Sequence, residues 1–416
     1  MQHKNLQRAA LFGAMILPAL AFAAPVAKVT NGLDSGAGSL RAALESGASK
    51  IIIDRAVTSI DIFTPLMYSG TEPLRIRGSG QVISGDNGSE PLLEVSGGAD
   101  LALTALEFAG PGGYSIENQG GGKGIFLRIP QDKTGTVNVR LKDVRVRDTG
   151  NHGIHISDCS TGDDCGAGQG GEGEGSEASV DLRLMNVVVD GAGFGKQDAD
   201  GIRVDDRGPG DIYFSVNHAR FVNVGGDGVE LDEGGEGSVF INVNQAVFQD
   251  NGAYCSADLV SDPIAIDPTC NDDGDPDVDD AFDIDEAGTG GIEGLMSNIR
   301  LINNYDEGLD FDTEGEGADN FVDIDLVNIY ARDNDDEAIK ISEIGDASVV
   351  VDMRRINIGG DVQVEEEDAG DLTVGISGSV IGDDLKLSQD GEGVGTVKLR
   401  KAIVADELDF ENVNQI

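Results

Sequence analysis

The chain has 416 residues, with 29 Lys and Arg against 76 Asp and Glu, for a formal charge of -47. A surface this acidic argues against nucleic acid as a partner and fits a protein that stays soluble in a salty medium. Sixty glycines and the absence of tryptophan fit short strands and tight turns better than a helical domain.

Residues 1–23 read as a secretory signal. Lys4 and Arg8 form a basic start, an apolar run extends from Ala9 to Phe22, and Ala21-Phe22-Ala23 gives a small-residue cleavage site. No later apolar stretch reaches the length of a membrane-spanning helix. The expected product is an exported, monomeric protein, secreted, periplasmic or on the cell surface, with residues 24–416 forming one β-helix domain.

The segment Lys28–Asp54, KVTNGLDSGAGSLRAALESGASKIIID, carries the one convincing helical periodicity, in SLRAALES from Ser39 to Ser46. Together with LRIRGSGQVISGDNG from Leu74 and LEVSGGADLALTALEFAG from Leu93, it resembles the N-terminal cap and first coils of bacterial surface β-helix proteins. The resemblance implies a cap over about residues 28–54, closing a solenoid end that would otherwise expose apolar side chains and strand edges.

Beyond residue 150, nine segments repeat a turn residue followed by apolar, polar, apolar, polar: GIHIS at Gly153, GIRVD at Gly201, GVELD at Gly228, AFDID at Ala281, GLDFD at Gly308, AIKIS at Ala338, DVQVE at Asp361, DLKLS at Asp384 and ELDFE at Glu407. Most lie 23 to 30 residues apart, about one solenoid turn, with second apolar-alternating runs such as DIYFSVNHARFVNV between them. Strands recurring in one direction predict an all-β, single-stranded, right-handed parallel β-helix. Side chains alternate across a strand, so the second and fourth positions, from Ile154 and Ile156 to Leu408 and Phe410, should stack as an apolar core.

The third and fifth positions then form two outward ladders. The first reads His155, Arg203, Glu230, Asp283, Asp310, Lys340, Gln363, Lys386, Asp409; the second reads Ser157, Asp205, Asp232, Asp285, Asp312, Ser342, Glu365, Ser388, Glu411. Carboxylates stacked roughly 4.8 Å apart destabilise each other unless something neutralises them. Divalent cations are the simplest answer, and calcium suits hard oxygen donors.

Two insertions interrupt the coils, 159–177 after the strand at Gly153 and 251–279 before the strand at Ala281. Each holds two cysteines, so the spacing predicts disulfides Cys159–Cys165 and Cys255–Cys270. The insertions are expected to wall a groove floored by the acidic ladder. The second contains CNDDGDPDVDDAFDIDE, whose alternate acids around a glycine turn predict calcium ligands at Asp272, Asp273, Asp275, Asp277, Asp283 and Asp285, with Asp232, Asp310 and Asp312 on neighbouring coils.

The stretch DADGIRVDDR, Asp198 to Arg207, followed by DGVELDE, resembles the strand-end acidic motifs of pectate-lyase-like β-helix enzymes. That likeness implies recognition of an extracellular acidic polysaccharide and, in a lyase, an arginine base beside calcium. Arg203, Asp205, Glu230 and Asp232 are the residues it nominates; the simpler role of Arg203 is to neutralise its acidic neighbours. Glycoside hydrolysis by a carboxylate pair is a further alternative. The rival to both is a non-catalytic surface or matrix protein with structural calcium.

Overall fold

A computed structural model describes residues 26–416 apart from 87, 113–120, 161–173, 196–198, 258–260, 267, 273–274, 277 and 314–319. Nearly all of its regular backbone is parallel β-sheet, in two sheets of 12 and 18 strands. The 12-stranded sheet runs in strict chain order from Leu66–Tyr68 to Leu408–Glu411, each strand pairing only with the coil before and the coil after. All nine repeat segments lie in it, and their registers put His155 opposite Arg203, Arg203 opposite Glu230, and so on to Asp409. This is the arrangement of a parallel β-solenoid.

The 18-stranded sheet is built from the runs between repeats, including Glu177–Asp190, Ile212–Val222, Val239–Gln249, Gly291–Ile302 and Phe321–Arg332. Each of these long strands is bent by one residue with positive φ: Asn186 at 55°, His218 at 61°, Gln245 at 60°, Asn298 at 58° and Asn328 at 59°. A left-handed residue other than glycine costs about 1–2 kcal/mol, least for asparagine, and stacked pairing on both sides of each bend holds it in place. A second bend carries inward asparagines: Asn251 Nδ2 donates to Asn304 Oδ1 at 3.1 Å, and Asn304 Nδ2 donates to Asn334 Oδ1 at 2.9 Å. The ladder thereby pairs the buried amides of Asn251 and Asn304 from coil to coil.

The alternating residues of both sheets fill one continuous core. Phe221, Phe248 and Phe282 stack through it with ring centroids 5.0 and 5.6 Å apart, and Phe311 meets Phe282 edge-on at 5.5 Å, each ring adding about 1.5–3 kcal/mol of burial. At the N-terminal end a helix, Leu40–Glu45, is capped by Ser39 Oγ accepting from the Ala42 amide and buries Leu40, Ala43 and Leu44. At the other end the core thins, and Leu408, expected inside, is 45% exposed.

Candidate functional site

The third and fifth positions face away from the core as their alternation requires, yet the first coils of the ladder are closed to solvent. His155, Asp205 and Asp232 are 0% exposed, Glu230 is 3% and Arg203 5%. Asp283, Asp285 and Asp312, on the next coils, are half-buried. The groove expected above Asp205 and Asp232 therefore has no open floor.

Buried charge demands partners, and Arg203 supplies most of them. Its Nε donates to Asp205 Oδ1 at 2.8 Å, one terminal nitrogen to Glu230, and the other lies 3.3 Å from Asp232 Oδ2. Arg207 also donates to Asp232. Burial would lower the proton affinity of Arg203, but Glu230, Asp205, Asp200 and Asp232 raise it well above the usual value. A guanidinium held this way stays charged. Burial would likewise raise Asp205, yet Arg203 and His155 hold it well below the usual carboxylate range.

His155 completes the network from the other side. Its Nε2 lies 2.5 Å from Asp205 Oδ2, its Nδ1 is 2.7 Å from Lys123 Nζ, and its ring stacks on Phe126 at 5.0 Å. Burial drives its pKa down to about 3, so at neutral pH the ring is neutral, donating from Nε2 to Asp205 and accepting from Lys123 at Nδ1. Lys123 lies outside the nine repeat segments and was no candidate from sequence.

Further along, carboxylates gather against one another. Oxygens of Glu230, Asp283 and Asp285 lie within 4.8 Å of one another, as do those of Asp280, Glu307 and Asp310. Asp280 Oδ1, Asp310 Oδ1 and Asp232 Oδ1 are buried and have no hydrogen-bond partner among the described residues. Burial, then Asp285, Asp227, Asp280 and Asp310, push Asp283 well above the ordinary carboxyl range, and burial with Asp312 takes Asp310 to about 8. Lys340 Nζ sits 2.7 Å from Asp310 Oδ2, and Ser342 Oγ donates to Asp312 Oδ1 at 2.6 Å. Two coils on, Lys386 bridges Glu337 and Asp361 at 2.7 and 2.8 Å. Lysine thus neutralises the C-terminal coils, while the stack from Glu230 to Asp310 gathers oxygen donors of the kind a hard divalent cation takes.

Of the acids predicted in the second insertion, Asp273 and Asp277 lie outside the described residues. Asp272 and Asp275 pair across a short antiparallel ribbon. The Cys255–Cys270 disulfide is present, and both sulfurs are buried with Tyr254 in a small satellite core. Cys159 is disulfide-bonded, but Cys165, its expected partner, lies outside the described residues. Closing a 15-residue span stabilises a loop by about 3 kcal/mol in the chain-entropy account. Reduction is therefore expected to open residues 251–279 to protease while the coils survive; equal protection of this segment in reduced and oxidised protein would contradict that.

A third ladder, not read from the sequence, follows directly on the repeat segments. Asp206, Glu233, Glu286, Thr313, Glu343, Glu366 and Gln389 pair coil to coil, point inward and are all at most 1% exposed. Their carboxylates cap the next turn: Glu286 Oε1 accepts from the Gly288 amide at 3.0 Å and the Gly290 amide at 3.2 Å, and Glu366 Oε1 does the same for Asp368 and Gly370. Turns stack so closely that a Cβ on Gly288 would stand 1.5 Å from the Gly235 carbonyl oxygen, which restricts that position to glycine. Among the described residues no amide or hydroxyl donates to the second oxygens of Asp206, Glu233 and Glu286, and the Glu233 and Glu286 carboxyls face each other. Burial, then neighbouring acids, raises Glu233 to about 10 and Glu343 to about 8, and burial takes Glu286 to about 7.

No family model matches this chain, and no curated protein does either.

Proposed function

We propose that the chain is an exported, right-handed β-helix of the bacterial surface type, capped at its N-terminus by the Leu40–Glu45 helix, and that its acidic ladder holds calcium as a structural ion. The orphaned buried oxygens of Asp280 and Asp310, set among stacked carboxylates, are the observation that carries this reading. Asp283, Asp285 and Asp310, with Asp232 and Asp312 on either side, offer the hard oxygen donors that calcium takes six to eight at a time. The Asp272–Asp277 stretch is a second candidate for the same ion.

The non-catalytic alternative is favoured over a polysaccharide lyase or a glycoside hydrolase acting on the ladder. A lyase base has to lose its proton and reach the sugar. Arg203 is 5% exposed and gripped by four carboxylates, which opposes both requirements. Asp205 and Asp232, at 0% exposure, offer a substrate no access either.

Calcium titrated into chelator-treated protein is expected to release heat and to raise the melting temperature. At a hundredfold excess over its dissociation constant, one site adds about 2.7 kcal/mol. The Asp283→Asn, Asp310→Asn double variant is expected to lose that increment and to melt near the metal-free value. A flat titration with an unchanged melting temperature for the unmodified chain would end this reading. Absorbance near 235 nm over acidic polysaccharides is expected to stay flat; a calcium-dependent rise would restore the lyase.

A further inference from the structure

Charge is not spread evenly along the axis. Residues 26–150 carry 13 Lys and Arg against 14 Asp and Glu, whereas residues 151–416 carry 14 against 62. Apart from Lys123 and Arg128, which lie by the ladder sheet, many cations of this nearly neutral third, among them Arg75, Arg77, Arg140, Lys142 and Arg145, sit on strands of the 18-stranded sheet.

The outer face of that sheet is hollowed along the bend in the long strands. One hollow of about 680 Å³ is lined by Arg140, Lys142, Arg183, Met185, Asn217 and Asn244. A second, of about 620 Å³, is lined by Arg55, Arg77 and Lys142 among others. Lys142 belongs to both, so the two form one trough parallel to the axis. Arg140, Lys142 and Arg183 are exposed. Arg183 is held by Asp181 at 2.8 Å and Arg140 by the Asn138 side chain at 3.3 Å; neither Arg140 nor Lys142 has a carboxylate partner among the described residues. The acids at the rim are already engaged, Asp54 by Lys28 at 2.6 Å and Asp143 by the Asn186 amide at 2.8 Å.

The remaining lining is suited to hydroxyls. Ser215, Asn217, Asn242, Asn244 and Ser297 present polar groups on successive coils, roughly 4.8 Å from strand to strand. Two residues from Ser215 and Asn242, on the same outward face, Tyr213 and Phe240 stack at 5.1 Å with their planes 11° apart. Flat apolar plates beside a row of amides and cations can take sugar rings, their hydroxyls and their carboxylates together.

We propose that this trough binds an anionic, uronate-bearing polysaccharide chain, with Arg140, Lys142 and Arg183 meeting its carboxylates and the Asn and Ser rows its hydroxyls. The ligand runs along the axis and stops where the surface turns acidic. Duplex nucleic acid, with a charge about every 1.7 Å and a stiff wide profile, is repelled by the remaining coils. The inference is independent of the calcium reading and concerns the opposite sheet.

The test is affinity electrophoresis of the purified protein in gels cast with polygalacturonate, with EDTA throughout so that calcium on the ladder cannot bridge protein to uronate. Mobility is expressed relative to a polymer-free gel, which corrects each variant for its own charge. The unmodified protein is expected to be retarded by polygalacturonate and not by neutral dextran. The Arg140→Gln, Lys142→Gln, Arg183→Gln variant is expected to bind roughly tenfold more weakly or worse, the loss of about 1.4 kcal/mol or more. Tyr213→Ala is expected to weaken retention, and a control with Lys398→Gln and Lys401→Gln to retain it. These substitutions fall on exposed side chains, and circular dichroism verifies that each variant is folded. No retardation of the unmodified protein, full retention by the triple variant, or equal binding to a DNA duplex would each overturn the proposal.

Discussion

Metal-free protein is expected to lose stability steadily as pH rises from 5 to 9. The inner acids hold protons in the folded chain that the unfolded chain would release, because burial raises their pKa values from 4.5 to about 7 at Glu286, 8 at Glu343 and 10 at Glu233. The sign follows directly. Their contribution is fully favourable below about 4.5 and is lost as pH climbs through those raised values. Each such acid costs on the order of 2 kcal/mol at pH 9 once solvent screening is allowed for, and several acting together cost more.

Glu343 gives the sharpest test, since burial and the neighbouring Glu366 carboxyl outweigh the Ala347 amide that favours its charge, and it pairs with Thr313 and Glu366 on the adjacent coils. Replacing it with glutamine keeps the shape and removes the charge. Glu343→Gln is expected to be nearly neutral at pH 5 and to stabilise by about 1–2 kcal/mol at pH 9, read from urea midpoints in EDTA. A midpoint independent of pH, or a variant destabilised equally at both values, would refute the account.

Arg203→Gln should be the most damaging single substitution in the ladder. Removing the guanidinium leaves Asp205, Glu230 and Asp232 buried around a neutral amide, and breaking a buried ion pair from one side costs about 3–5 kcal/mol. The melting temperature is expected to fall by about 4–6 °C. Arg203→Lys should recover only part of this, because one ammonium cannot reach four carboxylates as a planar fork does. A variant melting within about 2 °C of the unmodified protein would show that Arg203 is dispensable to the fold and would return it to the candidates for catalysis.

The ladder registers were readable because turn, apolar, polar, apolar, polar leaves a strand one choice of face, and a slip by one residue would turn every apolar side chain outward. The closure over Asp205 and Asp232 was not, because periodicity tells which face a side chain takes but not what lies over it. Lys123 escaped for a related reason: it reaches His155 from 32 residues away and belongs to no repeat segment. The inner acids did leave a trace, in the Asp206, Glu233, Glu286, Glu343 and Glu366 that directly follow the repeat segments. Hydrophilic residues before glycines read as turns, and only the stacked coils reveal that they point inward. The basic trough is assembled from strands whose cations are scattered between Arg55 and Arg183 in the sequence.

Every strand of the 12-stranded sheet touches only its predecessor and its successor. Nothing in that sheet ties the first coil to the last, so the energy that resists unfolding is shared between neighbours and falls away where a neighbour is missing. Such a molecule unravels turn by turn. Amide exchange is expected to be slowest in the central coils around the phenylalanine stack and progressively faster toward Leu408–Glu411, where the core thins. Ligands held by two or three adjacent coils would act as clips on that progression, arresting it locally and leaving the turns beyond free to fray.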